Sequence, residues 1–189
     1  MRIYLAGPEV FLADAAALAA AKSAICAAHG CVGVFPTDPS PVPLDWEEPE
    51  WLRIYRTNEA HIRGCDALIA NLTPFRGPSA DPGTVFELGF MRALGRPIHG
   101  YSNTVARFGS RTLGLLGRAA RRRADGGWGD AEGLAVEEFD RHDNLMIDGS
   151  IAAAGGSFET EDVAPEDRWR DLTAFARCVA ALTRPADRK

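Results

Sequence analysis

The sequence predicts an α/β fold: a doubly wound parallel sheet in a single domain, with a helical extension at its C-terminal end. Three observations predict it. Short apolar runs alternate with longer helical stretches from residue 2 to residue 101. The run DALIANL, residues 66–72, is apolar almost without a break, as in strands covered on both faces. Loops rich in glycine and proline follow the first and third runs, and ligands of such sheets sit outside the carboxyl ends of the strands.

Each element follows from local pattern. Residues 2–6, RIYLA, stop at Gly7-Pro8 and read as a buried first strand. Leu12 to His29 is Ala-rich and ends at Gly30, which predicts a helix closed by glycine. Val32 to Phe35 is a second strand, followed by an irregular loop marked by Pro36, Pro39, Pro41 and Pro43. Trp51, Ile54, Tyr55 and Ile62 give residues 48–63 an amphipathic helical spacing. The third strand, 66–72, leads through loop 73–82 to a helix over 83–94, stopped by Gly95 and Pro97, and to a fourth strand over 97–101.

Later elements carry weaker signals. Arg107, Arg111, Arg118, Arg121, Arg122 and Arg123 suggest a solvated or oligomer-facing helix over 107–123; neighbouring acidic residues oppose a phosphate or nucleic-acid patch. Residues 125–133 read as a mobile loop, 143–147 as a small ordered segment and 152–165 as a loop. A last amphipathic helix spans 166–182, through Trp169, Leu172, Phe175, Val179 and Leu182. Residues 1–150 form the α/β domain in this reading, and 151–189 a loop and helix packed on it.

Composition narrows the class. A chain of 189 residues buries a core without staples. Its net charge of −5, from 21 Lys and Arg against 26 Asp and Glu, argues against a binder of nucleic-acid polymers. There is no apolar run of about 18 residues to cross a membrane, and the N-terminal run is too short for a secretory signal, so a cytoplasmic protein is expected. Cys26, Cys31, Cys65 and Cys178 show no CxxC spacing, and His29, His61, His99 and His142 no HExxH. Reduced, packed cysteines and no metal site are expected.

The residues with chemical promise lie in 66–90. Glu87 is enclosed by Val85, Phe86, Leu88 and Phe90 in the first turns of a helix. A carboxylate there either complements the helix dipole or sits buried because it has work to do. Asp81 lies six residues earlier on the loop, and two carboxyls in unlike surroundings allow one to be ionised while the other handles a proton. The loop GPSADPG has neither GxxxxGK[ST] nor GxGxxG, so no nucleotide cofactor is implied. Ser79 and the backbone amides near Gly83 remain available for hydroxyls or a single phosphate. Asp66 reads as a structural hydrogen-bond acceptor.

Three stretches together, IYLAGPEVF, CDALIANLTPFRGPSADPGTVFELGFMRALGRP and DNLMI, resemble the nucleoside 2-deoxyribosyltransferases over about residues 1–150. The resemblance implies a flavodoxin-like sheet. It also implies transfer of 2-deoxyribose between nucleobases without metal or cofactor. By the same resemblance Glu87 is the nucleophile, and Asp81 contacts the substrate and protonates the leaving base. Tyr4 holds Glu87, and Asn144 reaches the sugar 5′-hydroxyl of a neighbouring subunit, so a homo-oligomer with shared sites is expected. Two departures stand out. Asn58 occupies a position where some members carry Asp, and an amide cannot accept a proton. Some members also end shortly after N-L-M, whereas this chain runs on to Lys189.

Base recognition is expected from Gly7, Glu9 and Phe11 after the first strand, Phe11 by stacking and Glu9 by hydrogen bonding; helix-entry packing and a solvated charge are the alternatives. Asp38 suits a turn better than a ligand. Trp46 and Trp51 belong to a pocket cap, to the core or to an interface. Two other readings stay open: an N-glycosidase of 2′-deoxynucleosides or their 5′-monophosphates, with Ser79 and Arg76 nearest a phosphate, and a non-catalytic nucleotide-sensing module.

Overall fold

A computed structural model describes residues 1–184. The alternation is present: β1 (Arg2–Ala6), α1 (Ala15–Ala28), β2 (Val32–Val34), α2 (Glu50–Arg63), β3 (Ala67–Asn71), α3 (Pro82–Ala93) and β4 (Ile98–Ser102). Gly30 and Gly95 follow α1 and α3 with φ of 69° and 70°, a left-handed conformation that glycine adopts without strain.

All strands of the main sheet are parallel, in the order β2-β1-β3-β4-β7, where β7 is Phe158–Thr160. This is the flavodoxin-like order, whose crevice opens beyond β1 and β3. Strand alternation divides β1 between two cores. Tyr4 and Ala6 face a cluster with Ile62 of α2, Leu88 and Met91 of α3, and Ile147 and Ile151. Ile3 and Leu5 face Cys26 of α1, Phe35, Tyr101 and Phe175. The four cysteines are free and buried. No helix among the described residues is long and apolar enough to cross a membrane.

Five expectations require correction. The arginine-rich stretch is not one helix: α4 (Phe108–Leu116) stops at Gly117, φ 51°, and Arg121–Arg122 (β5) pairs antiparallel with Trp128–Gly129 (β6). The turn between them, read as a mobile loop, is a hairpin in which Asp125 accepts from Gly127 N at 3.0 Å and Arg122 stacks on Trp128 at 4.1 Å. The segment at 143–147 opens a full helix, α5 (Leu145–Ala153). The stretch 152–165 contains β7, which completes the sheet beside β4. The last helix, α6, begins at Thr173 and ends at Leu182, because Asn103 Nδ2 takes the carbonyls of Arg168 (2.7 Å) and Asp171 (3.0 Å) that an earlier helix would use.

Candidate active site

The site assembles at the carboxyl edge of β1 and β3, where α3 begins. Asp81 is the N-cap of α3: its Oδ2 accepts from Thr84 N at 2.9 Å and Thr84 Oγ1 at 3.0 Å. The cap uses one carboxylate oxygen and leaves Oδ1 for a ligand. Gly83 keeps this turn narrow, since a Cβ there would stand 3.1 Å from Asp81 Oδ2. One and a half turns on, Glu87 points back to the sheet, and Tyr4 Oη donates to its Oε1 at 2.7 Å. Tyr4 is fully buried in β1, so the hydrogen bond comes from a fixed point.

Burial pushes the Glu87 carboxyl up to about 7; the Tyr4 hydrogen bond opposes this and the nearby Asp81 charge adds to it. Burial and Glu87 together drive the Tyr4 phenol far above its ordinary range, so it acts as a donor only. Glu87 is half-buried, and its carboxyl gives up its proton less readily than an exposed glutamate does.

Two cavities lie near these elements. A cleft of about 360 Å³ between the loop after β2 and α2 is lined by Asp38, Trp46, Arg53 and Asn58. Asn58 Oδ1 is buried there without a hydrogen-bond partner among the described residues. Asp38 takes the turn role, accepting from Phe35 N at 2.9 Å. Trp46, 75% exposed, lies under Arg53, and Trp51 is also exposed, so neither tryptophan is core. Asp66 accepts from Arg2 N at 2.7 Å, the structural bond expected of it. A larger groove, about 580 Å³, runs between α3 and α5 past Pro82, Val85, Gly89, Asn144 and Met146. Asn144 caps α5 through Met146 N (3.0 Å) and donates to Glu137 Oε2 at 2.6 Å. Glu87 and Val85 are two positions apart, about 200° around the helix. Within one chain, Asn144 and Glu87 therefore lie on opposite sides of α3.

Two candidate ligand groups have other partners. Glu9 is 1% exposed and binds Lys22, Asn71 and Tyr101, so it is a core ion-pair member and not a free base-binding group. The Ser79 hydroxyl donates to Asp143, which is wholly buried and also accepts from Ala80 N (3.0 Å) and Arg111 (3.3 Å). That carboxylate fixes the approach to Asp81. Sequence reading missed it because its partners lie more than thirty residues away. Lys22 was missed too, although its i±4 neighbours Leu18 and Cys26 mark the buried face of α1.

Phe11 is 63% exposed and stacks on Phe75, 5.6 Å between centroids. Trp169 meets Phe75 edge-on at 6.3 Å, and the Arg76 guanidinium lies 4.6 Å from the Phe75 centroid. Phe75 carried no sequence signal, and Trp169, read as part of the last amphipathic helix, lies before α6 and packs on Phe75 instead.

Gly7 is needed for space. Its backbone is extended, but a Cβ would fall 1.9 Å from Glu9 Oε2 and 2.9 Å from Asn71 Cβ. Because the Glu9 carboxylate is held by Lys22, Gly7→Ala is expected to destabilise the fold by about 1–3 kcal/mol, measured by urea unfolding. Unchanged stability would show that the carboxylate can move.

The chain is similar to known proteins over most of its length. Residues 3–146 match the family model for nucleoside 2-deoxyribosyltransferase. An uncharacterized protein of Schizosaccharomyces pombe, C191.05c, is 32% identical over 192 residues, covering 95% of this chain and 89% of that protein. A 2-deoxyribosyltransferase from Leishmania mexicana superposes with a TM-score of 0.57 at 28% identity, covering 95% of this chain and 97% of its own. A conserved protein from Enterococcus faecalis shares the fold, with a TM-score of 0.55 at 18% identity and coverage of 95% and 97%. The matched stretch runs from β1 to the start of α5 and includes Tyr4, Asp81, Glu87 and Asn144, and on it the chain belongs to the nucleoside 2-deoxyribosyltransferase family.

Proposed function

We propose that this protein transfers 2-deoxyribose between nucleobases, with Glu87 as nucleophile. The observation that carries the proposal is the 2.7 Å hydrogen bond from Tyr4 to a Glu87 carboxyl raised to about 7 beside Asp81. Burial, more than the Asp81 charge, raises Glu87, which holds a proton at rest; in the proposed first step it passes that proton to Asp81. Ionised Glu87 then attacks C1′, the Glu87–C1′ bond forms as the C1′–N bond breaks, and the departing base takes the proton from Asp81. The transition state is oxocarbenium-like, and the adjacent carboxylate stabilises it. A second base attacks C1′ from the vacated side, breaks the bond to Glu87 and returns a proton to Asp81. Two inversions give net retention and ping-pong kinetics.

Phe11 supports base stacking at the mouth of the site, and the unpartnered Asn58 oxygen supports recognition of a base edge. Asn144, facing away from its own Glu87, is suited to a second copy's substrate, which supports a homo-oligomer with shared sites. Every step uses carboxyl groups of the chain itself, on nucleosides and free bases in the cytoplasm.

Deoxyinosine and free adenine, mixed with the protein, test the reading. Deoxyadenosine is the expected product. Free 2-deoxyribose alone would make the protein an N-glycosidase, with water as the second nucleophile. Binding without turnover would sink both.

The rate is expected to fall as pH rises through about 7, where Glu87 loses the proton that it must pass on. Tyr4→Phe removes a bond that favours the Glu87 anion. It should move that falling limb upward by about one to two pH units. A limb that stays in place would separate Tyr4 from Glu87 titration.

A further inference from the structure

We infer that the buried Lys22–Glu9 pair is a positioning device for the substrate loops at the carboxyl edge of the sheet; this rests on the transferase reading above. Lys22 and Glu9 are each 1% exposed. Lys22 Nζ is enclosed by the rings of Phe35, Tyr101 and Phe175, at 5.9, 5.4 and 5.2 Å. Withdrawing two charges from water is costly, and well-packed apolar residues in such places hold a fold at least as well. Stability alone therefore does not account for the pair, whereas its connections do.

Glu9 Oε1 accepts from Lys22 on α1, Asn71 Nδ2 at the end of β3 (2.7 Å) and Tyr101 Oη on β4 (2.8 Å). Asn71 Oδ1 in turn accepts from Thr73 N at 3.0 Å, and Thr73 Oγ1 from Asn103 N at 3.0 Å. Asn103 then holds the carbonyls of Arg168 and Asp171. One buried polar chain thus joins α1, the loops after β1, β3 and β4, and the segment before α6. Its outer side carries the aromatic group: exposed Phe11 lies two residues from Glu9 on one 3-10 turn, half-buried Phe75 two residues beyond Thr73, and half-buried Trp169 one beyond Arg168. Tyr4, Asp81 and Glu87 take no part in the chain. It should therefore govern how tightly a base is held and leave the bond-making step alone.

The test replaces both charges at once, Glu9→Leu/Lys22→Met, so that no lone ion is buried. The variant is expected to melt at or above the parent temperature. Its KM for deoxyinosine and for adenine should rise about tenfold or more with kcat changed less than about threefold, and the falling limb near pH 7 should stay in place. KM values within twofold of the parent in a folded variant would overturn the inference. Should the double variant not fold, Tyr101→Phe removes a single bond to Glu9 and should raise both KM values about threefold; no rise would again overturn it. Amide hydrogen exchange without substrate separates this from failure of the transferase reading. Residues 8–12 and 73–76 should exchange about tenfold faster in the double variant while α2 is unchanged. Equal exchange there would overturn the positioning role even if the parent proved to be a hydrolase or a binding protein.

Discussion

Glu87→Gln is expected to lose base exchange by roughly 10⁴-fold or more and to resist unfolding better than the parent above pH 7. The first half follows from chemistry, since an amide cannot form the covalent sugar ester. The second half follows from linkage. The Glu87 carboxyl is raised from its ordinary 4.5 to about 7 in the folded protein. Between those values the folded chain holds a proton that the unfolded chain has released, so stability drops as pH climbs through this window. Below about 4.5 both states are protonated and no penalty exists; above 7 the penalty is complete, on the order of 3 kcal/mol. Glutamine carries no such penalty and still accepts from Tyr4. Thermal unfolding of both proteins at pH 4 and pH 8, beside the exchange assay, is the check. Near-parent turnover would remove Glu87 as the nucleophile. Equal stability at both pH values would mean the carboxyl is not held in a dry site.

Asp81→Asn is expected to slow release of an ordinary base by about 10²–10⁴-fold, with little change in stability. Asparagine caps a helix about as well as aspartate, so α3 keeps its start. It cannot take up or deliver a proton, however, and the falling limb near pH 7, set by the proton that Glu87 passes on, should disappear. The decisive substrate is 7-methyl-2′-deoxyguanosine, whose base departs neutral without protonation. On it the variant should approach the parent rate. The same loss on both substrates would assign Asp81 to sugar binding and leave the leaving-group proton to another donor.

The parts legible in the sequence were those written locally. DALIANL declared β3 because five consecutive buried residues leave no polar face to disguise it. Glu87 stood out for a similar reason, as an acid enclosed by apolar residues; Asp81 read as a loop carboxyl and is the N-cap of α3, and Tyr4 entered only through the family resemblance. β7 was not legible, since FET has one apolar residue in three and becomes a strand only through pairing with β4. Glu9 misled because an acid after a strand reads as a solvated loop charge. What buries it is Lys22, thirteen residues on, with Tyr101 ninety-two residues away. Ser79 misled likewise, its partner Asp143 lying sixty-four residues downstream. Long-range polar pairing leaves no periodicity to read.

The pairing of β7 with β4 also sets how short this polypeptide can be made. Gly100, Tyr101 and Ser102 are flanked by Phe158, Glu159 and Thr160. Trimming the gene after residue 150 would strip that border and uncover the backbone amides and carbonyls of β4. A bare seam of this kind recruits whatever strand comes near, including its own kind. Such a fragment would retain Tyr4, Asp81, Glu87 and Asn144 and still come out of solution as clumps.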